Sequence, residues 1–233
     1  MPHVFPPHAT PTLAVVGLDQ RFPVRRIFCV GRNYADHVVE MGGDPDREEP
    51  FFFTKPADAV WQGDGEVLFP PKTEDLHHEV ELVIAIAKEG SNIKPDLATN
   101  KIFGYAVGVD LTRRDLQAEA KKRGRPWDMA KGFDHSAPMS AIMRVETVGH
   151  PDGGSIYLTV NGETRQDGDL GQQVWKVPEI VAELSKFVRL MPGDLIMTGT
   201  PAGVGELKPG DRVEAGIDNI GEVAFTMGPA TEH

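Results

Sequence analysis

The feature that most restricts the fold is a succession of short Val- and Ile-rich runs cut by Gly and Pro turns. Residues 26–30, 78–87, 103–110, 155–160, 194–198, 212–215 and 222–226 each have the length and β-branched content of a strand. Asn161-Gly162, between 155–160 and a run from Thr164 onward, is the dipeptide of a tight hairpin turn. Helical stretches are few. Residues 35–41 have helical character and stop at Gly42-Gly43-Asp44-Pro45. Residues 111–123 read as the clearest helix, with Thr112 placed to cap it and Asp115 three residues on. Residues 178–190 are amphipathic, with Pro178 in the first turn. Many short strands with a few helices predict an α+β domain dominated by β structure. Residues 1–24, rich in Pro and His, read as an arm or irregular lead-in, and 25–228 as one domain.

Charge excludes some function classes. The formal net charge is −11, so the surface repels nucleic acid and anionic membranes. No apolar run approaches the length that spans a bilayer. The start, Met1-Pro2-His3-Val4-Phe5-Pro6-Pro7, lacks the basic-then-apolar pattern of a signal peptide. The single cysteine, Cys29, lies in an apolar run and reads as a buried free thiol rather than a nucleophile. The expectation is a cytoplasmic protein.

The sharpest chemical signal is Leu76-His77-His78-Glu79-Val80-Glu81-Leu82. Alternate side chains of a strand share one face, so Glu79 and Glu81 project together. Adjacent carboxylates repel unless they are solvated, share a cation or one of them is protonated. Asp110, at the end of the next apolar run, adds a third oxygen donor or else serves as a helix cap. Such a donor set suits Mg²⁺ or Mn²⁺; a solvated strand face is the alternative. His77 shares that face as a ligand, as support for one, or as plain surface.

His37 and Glu40, three apart on a helix, are neighbours. A carboxylate beside an imidazole makes a general base for activating water, or the two form an ordinary surface pair. Arg114 and Gln117 have the same spacing, and Arg suits bidentate carboxylate recognition. Lys131, between apolar and turn residues, either stabilises a developing oxyanion or is solvated. Thr198-Gly199-Thr200-Pro201-Ala202-Gly203-Val204-Gly205 is a glycine-rich turn that matches neither a phosphate-binding loop nor a dinucleotide fingerprint. There is no Gly-x-Ser-x-Gly elbow, no His-Glu-x-x-His and no Cys pair for zinc.

Taken in order, Gly31-Arg32-Asn33-Tyr34-Ala35-Asp36-His37, Phe53-Thr54-Lys55-Pro56, His78-Glu79-Val80-Glu81-Leu82, Gly108-Val109-Asp110-Leu111-Thr112-Arg113-Arg114-Asp115, Lys131-Gly132-Phe133-Asp134 and Pro192-Gly193-Asp194-Leu195-Ile196 with the turn at 198–205 resemble the fumarylacetoacetate hydrolase family across about residues 26–226. The resemblance implies a mixed β-roll fold with a few peripheral helices, usually in a homodimer. It implies Glu79, Glu81 and Asp110 as ligands of Mg²⁺ or Mn²⁺. His37 and Glu40 match the family's water-activating pair on a segment that acts as a lid, and Lys131 its catalytic cation. Arg32, Arg114, Gln117 and Thr200 match substrate contacts. The implied activity is hydrolysis of a carbon–carbon bond in a small 2-keto, β-diketo acid of the acylpyruvate type, as in the small bacterial members that include fumarylpyruvate hydrolases. Decarboxylation or keto–enol tautomerisation of oxaloacetate on the same metal site are the alternatives, and a ligand-binding protein without activity is a further class.

Overall fold

The apolar runs form strands because each can be covered on the face it must bury. The computed structural model describes residues 3–35 and 48–230. Six strands make the central sheet in the order Met143–Arg144, Ile102–Val109, Val80–Ile86, Asp194–Met197, Arg26–Gly31, Phe51–Lys55. Neighbours are antiparallel except Asp194–Met197 with Arg26–Gly31, which run parallel. A second sheet of five strands has the order Glu163–Asp169, Ser155–Val160, Arg212–Ile217, Gly221–Ala230, Glu66–Phe69. A three-stranded sheet, Thr112–Arg113, Leu76–His78 and Gly205–Leu207, lies beside the central one. This is the β-rich α+β architecture that the strand-like runs imply.

The central strand Val80–Ile86 is buried at every position, which explains why it reads as an unbroken apolar run rather than an alternating one. Leu82 and Ile84 pack with Ile156, Leu158, Val213 and Phe225 of the five-stranded sheet. Val83 and Ala85 face the other way, beside Ile27, Cys29, Leu195 and Met197 of the same sheet, in a second core that also holds Leu13, Ala137 and Ile142. The helix Val177–Phe187 covers the first of these cores with Ile180, Val181 and Leu184. Its N-terminus carries Pro178, and Glu179 accepts the Lys176 N–H at 2.9 Å.

Four local expectations differ from what is observed. Within the Pro- and His-rich lead-in, Thr12–Val15 and Leu18–Pro23 form a hairpin, and Leu13, Val15 and Phe22 bury against the second core. The run expected as one strand from 78 to 87 is two strands, Leu76–His78 and Val80–Ile86, broken at Glu79. The helix expected from 111 begins at Arg114, because Thr112 and Arg113 instead pair with His77 and Leu76. Thr112 therefore does not cap it; its hydroxyl accepts from Lys131, and Arg113 stands at the cap position without a capping side-chain bond. The helix at 178–190 ends at Phe187. The helix expected at 35–41 lies outside the described residues beyond Ala35. Asn161 and Gly162 adopt φ of 54° and 78°, as the expected tight hairpin turn requires.

Candidate metal centre

Strand register brings the three carboxylates together. In the antiparallel pair of Val80–Ile86 and Ile102–Val109, Val80 lies opposite Val109. One residue further, the Asp110 N–H donates to the Glu79 carbonyl at 2.8 Å. Glu79 and Asp110, 31 positions apart in sequence, thus stand side by side, and Glu81 follows two residues on, inside Val80–Ile86. Among the described residues, Glu79, Glu81 and Asp110 form a buried group whose potential ligand atoms all lie within 4.8 Å of one another.

The strand break at Glu79 is held by a residue that sequence reading did not single out. Gln166, fully buried, reaches in from the five-stranded sheet. Its Oε1 accepts the Val80 N–H at 3.0 Å and that of His78 Nδ1 at 3.0 Å. Its Nε2 donates to Thr200 Oγ1 at 2.7 Å and to the Pro201 carbonyl at 2.9 Å. One amide therefore ties the Glu79 break to the glycine-rich turn. Burial keeps His78 neutral, its pKa pushed down to about 4. Gln166→Leu is expected to lower stability by about 1–3 kcal/mol for each buried polar group it leaves unpaired. A urea denaturation curve measures the loss, and a midpoint equal to that of the parent protein would remove Gln166 from this role.

Glu81 is anchored from the same turn. Its Oε2 accepts the Gly199 N–H at 2.7 Å. Gly199 sits at φ +92°, and a Cβ there would come within 2.7 Å of the Asn33 Cβ, so only glycine brings this N–H to the carboxylate. Asn33 is buried and braces the turn, with Nδ2 donating to the Thr198 carbonyl at 2.8 Å.

Cations surround two of the carboxylates. Lys131 Nζ donates to Glu79 at 2.8 Å, to Asp110 at 2.7 Å and to Thr112 Oγ1 at 2.6 Å, which engages all three of its protons. Burial works against the Lys131 charge, but Asp110 and Glu79 more than offset it, and its pKa is raised above the ordinary value. Lys55 lies 2.8 Å from the other Asp110 oxygen and also donates to the Leu111 and Lys131 carbonyls. Arg114 is paired with Glu79 and donates to Gln117 Oε1 at 2.7 Å. Glu81 has the least compensation. Burial, then the neighbouring Asp110 and Glu79 charges, push its pKa well up against the opposing pull of the Gly199 N–H and Lys131.

The donor set fits a divalent cation: three buried carboxylates supply hard oxygen ligands at the spacing one ion bridges, and like-charge repulsion at Glu81 is what a cation relieves. A cavity opens onto this group. It is lined by Arg32, Glu79, Glu81, Arg114, Gln117, Lys121, Lys131, Gly199 and Thr200, with Phe51, Phe53 and Trp127 as its apolar wall. The expected residues Arg32, Arg114, Gln117, Lys131 and Thr200 therefore meet in one place with the carboxylates. His37 and Glu40 lie outside the described residues. His77 is not part of the carboxylate group; it bonds to Asp75 at 2.8 Å. Lys55 was not picked out as a site residue. It lies in Phe53-Thr54-Lys55-Pro56, one of the segments that carry the resemblance, and just after an apolar run, where a charge needs a buried partner.

Comparison with known proteins agrees with this geometry. A family model described as the fumarylacetoacetate (FAA) hydrolase C-terminal region matches residues 26–227. The mitochondrial oxaloacetate tautomerase FAHD1 of Mus musculus is 44% identical over 203 residues, which span 87% of this chain and 91% of that protein. A fumarylpyruvate hydrolase of a Ralstonia species is 42% identical over 192 residues, 82% of this chain and 100% of that one. The crystal structure of the fumarylpyruvate hydrolase of Pseudomonas aeruginosa, in complex with Mn²⁺ and pyruvate, is 48% identical and superimposes with a TM-score of 0.96, covering 99% of this chain and 100% of that one.

Proposed function

Because this chain belongs to the fumarylacetoacetate hydrolase family, we propose that it is a divalent-metal-dependent hydrolase that cleaves the carbon–carbon bond of an acylpyruvate, taking fumarylpyruvate to fumarate and pyruvate. The observation that carries this reading is the buried Glu79, Glu81 and Asp110 group at the base of a cavity walled by cations. The Mn²⁺ and pyruvate of the Pseudomonas aeruginosa relative are the ion and the product that such a site would accept.

Glu79, Glu81 and Asp110 hold the cation, Mg²⁺ or Mn²⁺, which when bound acts as a Lewis acid toward the 2-keto acid end of the substrate. Arg114 and Gln117 anchor the substrate carboxylate, with their side chains already fixed against each other at 2.7 Å. His37, oriented by Glu40, takes a proton from water, and the water oxygen adds to the distal carbonyl. The bond between that carbonyl carbon and the adjacent methylene then breaks, its electron pair leaves with the pyruvate half, and the methylene carbon takes back a proton to become the methyl group of pyruvate. Lys131 stands beside the carboxylates, where its positive charge opposes the negative charge that builds on the departing half. Thr200 and Arg32 line the same cavity and border the substrate there. The reading includes a cytoplasmic homodimer; among the described residues no helix is long and apolar enough to cross a membrane.

Glu81→Gln tests the metal site directly. The substitution is expected to weaken Mn²⁺ binding at least about tenfold in a calorimetric titration, since loss of even an outer partner costs that much. Turnover that survives exhaustive chelation would overturn the metal-dependent reading. Tautomerisation of oxaloacetate is the second reading, favoured by the name of the Mus musculus relative. It needs no activated water. Assaying loss of absorbance of acylpyruvates and of enol-oxaloacetate on the same preparation separates the two.

A further inference from the structure

The hydrolase reading names no residue for the far end of the substrate's acyl half, and the inference here rests on that reading while extending it. The helix Arg114–Arg123 carries Arg114, Gln117 and Lys121 at spacings of three and four residues, which puts them on one face. All three line the cavity above the carboxylates. Seven residues of helix advance about 10 Å, so Lys121 lines the cavity about two turns beyond Arg114. Arg32 borders the same cavity on a backbone held at φ 59°, fixed by the buried Asn33 that follows it.

The cations of this cavity divide into two kinds. Arg114 is paired with Glu79, and Lys131 with Glu79 and Asp110. Lys121 and Arg32 have no carboxylate within ion-pair distance among the described residues. Burial first, then the Arg114 and Arg32 charges, lower the Lys121 pKa against an opposing pull from the more distant Glu79. The Lys121 ammonium lies 5.1 Å from the centre of the Trp127 ring. Trp127 meets Phe51 edge-on at 5.4 Å and Phe53 at a tilt at 5.9 Å, so three rings set at steep angles make an apolar wall beside Lys121. Such a cavity, with an apolar wall beside a cation, matches an unsaturated chain that ends in an anion.

We propose that Lys121, assisted by Arg32, binds the terminal carboxylate of the substrate's acyl arm and makes the enzyme selective for acylpyruvates that carry a second carboxylate. The residue that reads the acyl end thus lies two helical turns from Arg114, which reads the pyruvate end. One helix measures the length of a diacid.

The test compares fumarylpyruvate with acetylpyruvate, whose acyl group is neutral, in steady-state kinetics of the parent protein, Lys121→Met and Lys121→Arg. Lys121→Met keeps the apolar stem and removes the charge. It is expected to raise KM for fumarylpyruvate relative to acetylpyruvate by about tenfold or more, the value of one charge-assisted hydrogen bond. Lys121→Arg is expected to restore most of the preference. Equal KM increases for both substrates, or no change in their ratio, would overturn the assignment. Calorimetric titration with fumarate and crotonate, which differ in the distal carboxylate, needs no turnover. If neither acylpyruvate is cleaved, the hydrolase reading fails, and the anion site is decided by this titration alone. The parent protein should then bind fumarate the more tightly, with Lys121→Met closing the gap. A gap that is absent, or that persists in Lys121→Met, rejects the site.

Discussion

Asp110→Asn is expected to remove both activity and about 3–5 kcal/mol of folding stability, the usual effect of taking one partner from a buried ion pair. Asp110 is fully buried, with Lys55 at 2.8 Å on one oxygen and Lys131 at 2.7 Å on the other. Lys131 keeps Glu79 and Thr112 after the substitution, but Lys55 is left with only the Leu111 and Lys131 carbonyls. A buried ammonium facing neutral partners alone is the source of the loss. Glu81→Gln provides the contrast. Burial and its two carboxylate neighbours already disfavour its ionised form, so in chelator the substitution should leave stability unchanged or raise it. Urea midpoints for both variants, measured without metal, decide the matter. Equal losses in the two would show that the Lys55–Asp110 pair is not the stabilising element.

His37→Ala should lower acylpyruvate hydrolysis by about 10²–10⁴-fold, the range of a positioned general base, while Mn²⁺ affinity stays at the parent value. The separation follows from the site's construction, because the carboxylate group is complete without His37. Under the same proposal, Glu40→Gln should give a smaller loss with a shifted pH–rate profile, since a nearby carboxylate charge favours the protonated form of an imidazole. If hydrolysis survives in His37→Ala, another group activates the water. If hydrolysis is lost while enol-oxaloacetate is still converted, the two reactions share the metal and differ in their need for the base.

The convergence of Glu79, Glu81 and Asp110 was legible in the sequence because it depends on strand periodicity and on one antiparallel pairing. Glu79 and Glu81 alternate with apolar residues, and Asp110 closes the next apolar run. The residues that secure them were not legible. Gln166 meets Val80 across 86 positions, and Lys55 meets Asp110 across a separation of 55 in sequence. No local pattern marks such partners. The helix start was misplaced for a related reason: Thr112 matches a cap locally, but its backbone is taken by the pairing with His77 and its hydroxyl by Lys131. The N-terminal hairpin escaped notice because its strands are short and bordered by proline, and only burial of Leu13, Val15 and Phe22 on the central sheet makes it stable.

The neighbouring placement of Glu79 and Asp110 is set by the ladder between two strands, not by the chain that joins them. The connection at 87–101 leaves from the opposite end of that ladder, and the one irregularity in the pairing, between Ala85 and Ile86, lies at that end too. Insertions in this connection would be absorbed there. A single deletion between Val80 and Val83 would instead turn every following side chain to the wrong face and part the carboxylates. Descendants of this chain are thus free to lengthen one side of the molecule while the other admits no change of length at all.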